Sequence, residues 1–187
     1  IIINTYIKSY LKKNSKFGIA SARAGNVIGG GDQSPNRLIP DLVNSLNKNK
    51  KITLRNPHFN RPWQHVLEPL FGYLILGIRL FKNPQKYSSA WNFGTEKNTV
   101  TSVLSIVKFA INRWGSGELR IKRNKKIYEQ TNLQLNIEKS KKILKWKPKF
   151  SIKESVNITI DWYRKVLKKQ KTPEQITENQ IKAYMRY

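Results

Sequence analysis

The chain alternates between two kinds of hydrophobic pattern. In five segments apolar residues recur at helical spacing or form a long apolar run, which predicts helices: 2–11, 38–46, 62–80, 103–114 and 152–167. In three others a short apolar run is bounded by polar residues or glycine, which predicts buried strands: 16–23, 51–54 and 89–94. Strands that alternate with helices favour an α/β fold with parallel strand pairing.

The ends of these segments carry local signals. Gly115 follows one predicted helix and suits its C-terminus. Ser151 and Glu154 have the spacing of a capping box, which predicts a helix start at Ile152. From Lys168 onwards the chain becomes polar, and we expect a tail there.

The first predicted helix has no N-capping residue before it, and the only methionine is Met185. Three strong strand predictions are also few for a doubly wound sheet, and a sheet cut at that size would expose an unpaired edge. We therefore expect the chain to be the C-terminal part of a longer protein.

Charge and composition remove several classes of site. The 187 residues include 36 Lys and Arg against 11 Asp and Glu, a net charge of +25. Such a charge fits either a nucleic-acid-binding surface or a lysine-rich solvated surface, and the scatter of the basic residues favours the second. With no cysteine and two histidines, thiol catalysis, cysteine zinc sites and a His-only metal site are excluded.

Two segments could bind a ligand. Gly25 to Asp32 follows a predicted strand, where open α/β sheets place their ligand crevice, but its glycines match neither the dinucleotide fingerprint nor a P-loop. It is either a flexible connection or a ligand loop, in which Asn26 could hydrogen-bond the ligand. Arg61 offers a planar fork suited to a diphosphate, although in a chain this basic a single Arg is more often a surface cation, and Trp63 and His65 are more often core residues.

Three segments together resemble one family. ASARAGNVIGGGD (20–32), RLIPDLV (37–43) and LRNPHFNRPWQHVLEPLFGYL (54–74) are similar to the CDP-glucose 4,6-dehydratases of the extended short-chain dehydrogenase/reductase superfamily. SAWNFG (89–94) and residues 133–163 continue the resemblance in the same order.

The resemblance implies an architecture. The fold would be α/β, the C-terminal part of an NAD-binding Rossmann-type extended short-chain dehydrogenase/reductase with its smaller substrate-binding subdomain. Residues 1–50 would be the remnant of the Rossmann-type domain. Residues 51–167 would be mostly the substrate-binding subdomain, with a returning strand and helix near 89–114, and 168–187 the polar tail.

The resemblance also implies a reaction, in which CDP-glucose becomes CDP-4-keto-6-deoxyglucose and water by a lyase that uses NAD as an internal hydride carrier. The family's catalytic Tyr-x-x-x-Lys is absent, because no Tyr here is followed by Lys four positions later. Catalytic residues would lie upstream, and the chain alone would be inactive. The family implies a cytoplasmic protein, a homodimer when full length, with no membrane or specific nucleic-acid partner, acting in polysaccharide biosynthesis.

Residue by residue, the resemblance assigns no metal ligand but two sets of contacts. The substrate contacts would be Asn26, Arg37, Leu38, Thr53, Leu54, Arg61 and Asn92. The cofactor contacts would be Ala24, Gly25 and Val27. The alternatives are another sugar-nucleotide dehydratase or epimerase of the same superfamily and a basic nucleic-acid-binding module.

Overall fold

The structure is a computed structural model that describes residues 2–10, 16–96, 99, 101–122 and 134–186. The helices are α1 (Ile2–Tyr10), α2 (Leu38–Asn47), α3 (Leu67–Lys82), α4 (Pro84–Tyr87), α5 (Val103–Trp114), α6 (Ile152–Leu167) and α7 (Pro173–Arg186). The strands are β1 (Ser21–Ala24), β2 (Asn26–Ile28), β3 (Ile52–Leu54), β4 (Asn60–Arg61), β5 (Trp63–His65), β6 (Ala90–Phe93), β7 (Thr101–Ser102) and β8 (Leu119–Ile121). A π-helical turn spans Ser140–Leu144.

Gly25 joins two parallel strand pairs end to end. Before it, β1 pairs with β6, and after it, β2 pairs with β5, both in parallel. The backbone N–H of Gly25 donates to Phe93 O at 3.3 Å, and a Cβ at this position would lie 2.8 Å from Pro62 O. Only glycine allows so close a backbone approach, so the strand changes partner at this residue.

The remaining pairs flank this unit. β3 pairs with β8 in parallel, and β4 pairs with β7 antiparallel. Three of these four pairings are therefore parallel, as the alternation of strands and helices predicts.

The core forms two hydrophobic clusters. The first collects the apolar faces of α2, α5 and α6 around β2, β3 and β5. The second lies under α3 and contains β6 together with residues of the π-helical turn, with Phe93 and Trp146 packed edge to face at 5.0 Å. The helical spacing predicted for α2, α5 and α6 is confirmed, as are the Ser151–Glu154 capping box and the left-handed Gly115 that ends α5.

Three predicted element boundaries are wrong. The segment predicted as a flexible connection or ligand loop, 25–32, contains β2. The segment predicted as helical, 62–80, includes β5 before α3 starts at Leu67. All three residues of β5 are buried, so they show no alternation that would mark a strand. The predicted strand over 16–23 begins only at Ser21, where pairing to β6 begins.

The polar tail predicted from Lys168 is also wrong. Residues 173–186 form α7, which buries Ile176 in the first cluster and places the Tyr184 hydroxyl against Glu68. Two buried residues in a 14-residue helix are too few to produce a recognisable apolar periodicity. The division of the chain at residue 50 stays a prediction. Among the described helices, none has the length and apolar character that crossing a membrane requires.

Two glycines of α3 provide a matched test of packing. A Cβ on Gly72 would lie 2.3 Å from the Phe93 ring, whereas a Cβ on Gly77 would meet nothing within 4 Å. We expect Gly72→Ala to lower the free energy of unfolding by about 1 to 3 kcal/mol through overpacking. Gly77→Ala should raise it by up to about 1 kcal/mol, because alanine has the higher helix propensity.

Urea unfolding of both variants would measure these two changes against the same background. Equal stabilities for the two variants would contradict the close packing of α3 on β6.

Candidate functional site

A cleft of about 480 Å³ opens beside β2 and the N-terminus of α2. Its residues come from the strand, the glycine-rich segment, the start of the helix and β5: Gly25, Asn26, Val27, Ile28, Gly29, Asp32, Asn36, Arg37, Leu38, Ile39, Pro40 and Trp63. The glycine-rich segment leaves the carboxyl end of a parallel strand, which is where α/β sheets bind ligands.

Five of the residues predicted by resemblance meet at this cleft. Gly25, Asn26 and Val27 come from the switch between β1 and β2, and Arg37 and Leu38 from the start of α2. The exposed Arg37 guanidinium and the half-buried Asn26 amide provide a cation and a neutral hydrogen-bonding group. The cleft can therefore hold a phosphate-bearing ligand that also offers hydroxyl groups.

Thr53, Leu54 and Ala24 do not line this cleft. Ala24 ends β1, one residue before it. Thr53 and Leu54 lie in β3, where Leu54 is buried in the first cluster and Thr53 is exposed. Of these two, only the Thr53 side chain is open to contact a ligand.

Arg61 and Asn92 lie outside the cleft lining as well. The Arg61 guanidinium donates from Nη1 to Asn60 O at 3.0 Å and lies 5.4 Å from the centre of the Phe59 ring. Asn92, on β6, donates from Nδ2 to Asn136 O at 2.9 Å, and its buried Oδ1 accepts no hydrogen bond from the described residues. Arg61 is two residues from Trp63, which does line the cleft.

Trp63 is a cleft residue that the sequence suggested only as core. It is buried in the first cluster, yet it lines the cleft, and its indole Nε1 has no hydrogen-bond partner among the described residues. An unpaired buried N–H is costly, so this donor is a local weak point of the core next to the cleft. The position of Trp63 two residues after Arg61 is the one sequence signal that could have suggested it as a site residue.

Asp32 and Asn36 also line the cleft, and the sequence alone suggests no role for either residue. The backbone N–H of Ser34 donates to Asp32 Oδ1 at 2.9 Å and, with the nearby Arg37 charge, holds the pKa of that carboxyl below its usual value. Asn36 has a left-handed backbone, with φ of 61°, immediately before Arg37. The two residues shape the turn that presents Arg37, and polar residues before a helix are the common signal for such a turn.

His65 behaves as a core histidine. It is 1% exposed, its Nδ1 accepts from the backbone N–H of Leu67 at 3.3 Å, and burial lowers its pKa to about 4. The ring is therefore neutral at pH 7. Within the part of the chain that the structure describes, no group of three or more His, Cys, Asp and Glu residues could hold a metal ion.

Several solved sugar-nucleotide enzymes share this fold. A dTDP-glucose 4,6-dehydratase from Bacillus anthracis, solved in complex with NAD, superposes with a TM-score of 0.69 at 22% identity, over 88% of this chain and 49% of its own. A UDP-glucose 4-epimerase from Stenotrophomonas maltophila, solved with bound NAD, gives 0.72 at 15% identity, over 89% of this chain and 54% of its own. No family model matches the sequence.

These structures confirm the predicted α/β fold class. This chain therefore has the fold of the solved sugar-nucleotide dehydratases and epimerases. The more particular resemblance, to CDP-glucose 4,6-dehydratase, is confirmed by the enzyme of that name from Salmonella typhimurium. It is 38% identical over 148 residues, which are 79% of this chain. The chain spans 41% of that relative's length and about half of the solved structures.

Proposed function

We propose that this chain forms the substrate-binding portion of an NAD-dependent CDP-glucose 4,6-dehydratase. The observation that carries the proposal is the convergence of Asn26, Arg37 and Leu38 on one cleft, in a chain whose curated relative has that activity. The structure brings these residues together from a strand switch and a helix start.

The substrate roles follow from the chemistry of each group. The Asn26 amide hydrogen-bonds the sugar nucleotide, and the Arg37 guanidinium attracts its phosphates, with Leu38 packing beside it. Arg61 clamps the diphosphate, and the backbone of Thr53 and Leu54 contacts the cytosine edge.

The cofactor roles involve backbone more than side chains. Ala24, Gly25 and the exposed Val27 approach the nicotinamide end of NAD, which when bound supplies a temporary hydride acceptor. Gly25 and Val27 both line the cleft, so the residues present are compatible with the cofactor. This chain contains neither Tyr-x-x-x-Lys nor the glycine fingerprint, so we expect the 187 residues alone to be inactive.

Nucleotide selectivity is tested by thermal protection of the full gene product that contains this chain. We expect CDP-glucose to raise the unfolding temperature more than UDP-glucose or dTDP-glucose at equal concentration, because a ligand that binds only the folded state stabilises it. Asn26→Ala should reduce the protection, whereas Asn112→Ala, on the exposed face of α5, should leave it unchanged.

The second candidate is a dehydratase or epimerase acting on another sugar nucleotide. It is favoured by the solved relatives, which include a UDP-glucuronic acid 4-epimerase from Bacillus cereus with a TM-score of 0.70 at 17% identity, over 88% of this chain and 49% of its own. Greater protection by UDP-glucose or dTDP-glucose than by CDP-glucose would establish it in place of the first.

A further inference from the structure

Residues 29–36, here called the glycine wall, separate the cleft from a second cavity. On one side Gly29, Asp32 and Asn36 line the cleft. On the other side residues 31–35 line a cavity of about 470 Å³ that reaches α6. This wall lies between two cavities, and contacts from neighbouring elements hold it.

Trp162 and Tyr163 of α6 supply two of these contacts. The Tyr163 hydroxyl donates to Asp32 O at 2.7 Å. The Trp162 ring lies so close to Gly30 that a Cβ there would come within 2.1 Å of it. Burial raises the pKa of Tyr163 to about 12, so its hydroxyl remains a donor at physiological pH.

α7 in turn fixes the Trp162 ring. The indole Nε1 of Trp162 donates to Thr177 Oγ1 at 2.9 Å, and Ile176 beside it is buried in the first cluster. The Trp162 and Tyr163 rings contact each other edge to face, with centroids 5.2 Å apart. A continuous set of contacts therefore runs from α7 through α6 to the cleft.

We propose that Trp162 and Tyr163 are positioning residues that hold the glycine wall in place and so set the affinity of the cleft for its nucleotide sugar. The inference rests on the proposed function for the identity of that ligand. Neither aromatic residue is among those that line the cleft, so both act through the backbone of Asp32 and the glycines before it.

Tyr163→Phe tests this by removing one hydroxyl from the full gene product. Without its hydrogen bond, the glycine wall should exchange its amide hydrogens at least tenfold faster, because local opening becomes easier. The KM for CDP-glucose should rise about five- to tenfold with kcat nearly unchanged, since the hydroxyl touches no reacting atom.

Tyr87→Phe is the matched control, because Tyr87 is equally buried at 7% and lies in the second cluster. It should alter neither exchange in the glycine wall nor KM. Thr177→Val, which removes the acceptor for Trp162, should shift both quantities in the same direction as Tyr163→Phe but less.

The outcomes separate the two proposals. Unchanged exchange in the glycine wall of a folded Tyr163→Phe variant, or faster exchange with unchanged KM, would overturn the positioning role. If the unsubstituted protein binds no CDP-glucose, the assignment of that substrate fails. The exchange comparison, repeated with whichever nucleotide sugar protects the protein, then decides the positioning role.

Discussion

Glu68→Ala is expected to lower the free energy of unfolding by about 3 to 5 kcal/mol, as removal of a buried, multiply bonded carboxylate does. Glu68 is 1% exposed. Its Oε1 accepts from the backbone N–H groups of Lys149 at 2.9 Å and Phe150 at 2.7 Å, and its Oε2 accepts from the Tyr184 hydroxyl at 2.8 Å. Alanine would leave these three donors without an acceptor.

The Glu68 carboxyl also joins three separate parts of the chain. The carboxyl connects α3 to residues 149–150 and to α7. The backbone O of Glu68 also accepts a hydrogen bond from the indole of Trp146 at 3.1 Å. Burial raises the pKa of Glu68 above its ordinary value, although the hydrogen bonds that it accepts oppose this shift. Loss of the carboxyl should therefore free α7 as well as weaken the core.

Urea unfolding, monitored by tryptophan fluorescence, measures the decrease in the free energy of unfolding. Glu68→Gln, which keeps the volume and one acceptor oxygen, should be intermediate in stability. Glu118→Gln removes a carboxylate that pairs with Lys51 at 2.6 Å on the exposed surface, and it should change stability by less than about 1 kcal/mol. A Glu68→Ala variant as stable as Glu118→Gln would refute the role assigned to Glu68.

The parts of the fold that follow from local patterns could be predicted. Helices α2, α5 and α6 each carry an apolar face with a period near 3.6, and the capping box at Ser151 marks one start to the residue. The resemblance identified Asn26, Arg37 and Leu38, which the structure brings to one cleft.

The parts of the fold and site that depend on partners distant in sequence could not be predicted. β5 is buried on both faces because α3 and α6 enclose it, and no pattern within three residues can report that. In the sequence Glu68 is a single acid in a mostly apolar segment, and its partner Tyr184 lies 116 residues later. The sequence suggested Trp63 only as a core residue. Its contact with the cleft arises only in the assembled sheet, so no local pattern reports it.

Arg61→Ala is expected to weaken CDP-glucose binding to the full gene product by about 2 to 4 kcal/mol, the loss typical of a desolvated charge pair. Arg61 is half-buried on β4, where its backbone pairs with Thr101 and the side chain lies against the Phe59 ring. The pairing uses backbone groups, so alanine should preserve the strand while removing the guanidinium fork that is proposed to bind the diphosphate.

Isothermal titration with CDP-glucose measures this loss of affinity. Two further variants show whether the loss comes from the fork geometry of Arg61 or from its charge alone. Arg61→Lys keeps the charge without the planar fork, so it should recover only part of the affinity. Arg79→Ala removes the same charge from the exposed face of α3 and should change the dissociation constant less than twofold.

In a chain of net charge +25, equal losses from Arg61→Ala and Arg79→Ala would mean that diffuse attraction, not a clamp, holds the diphosphate. A loss confined to Arg61 that persists at high salt requires a direct contact, because diffuse attraction between exposed charges is screened beyond about 10 Å.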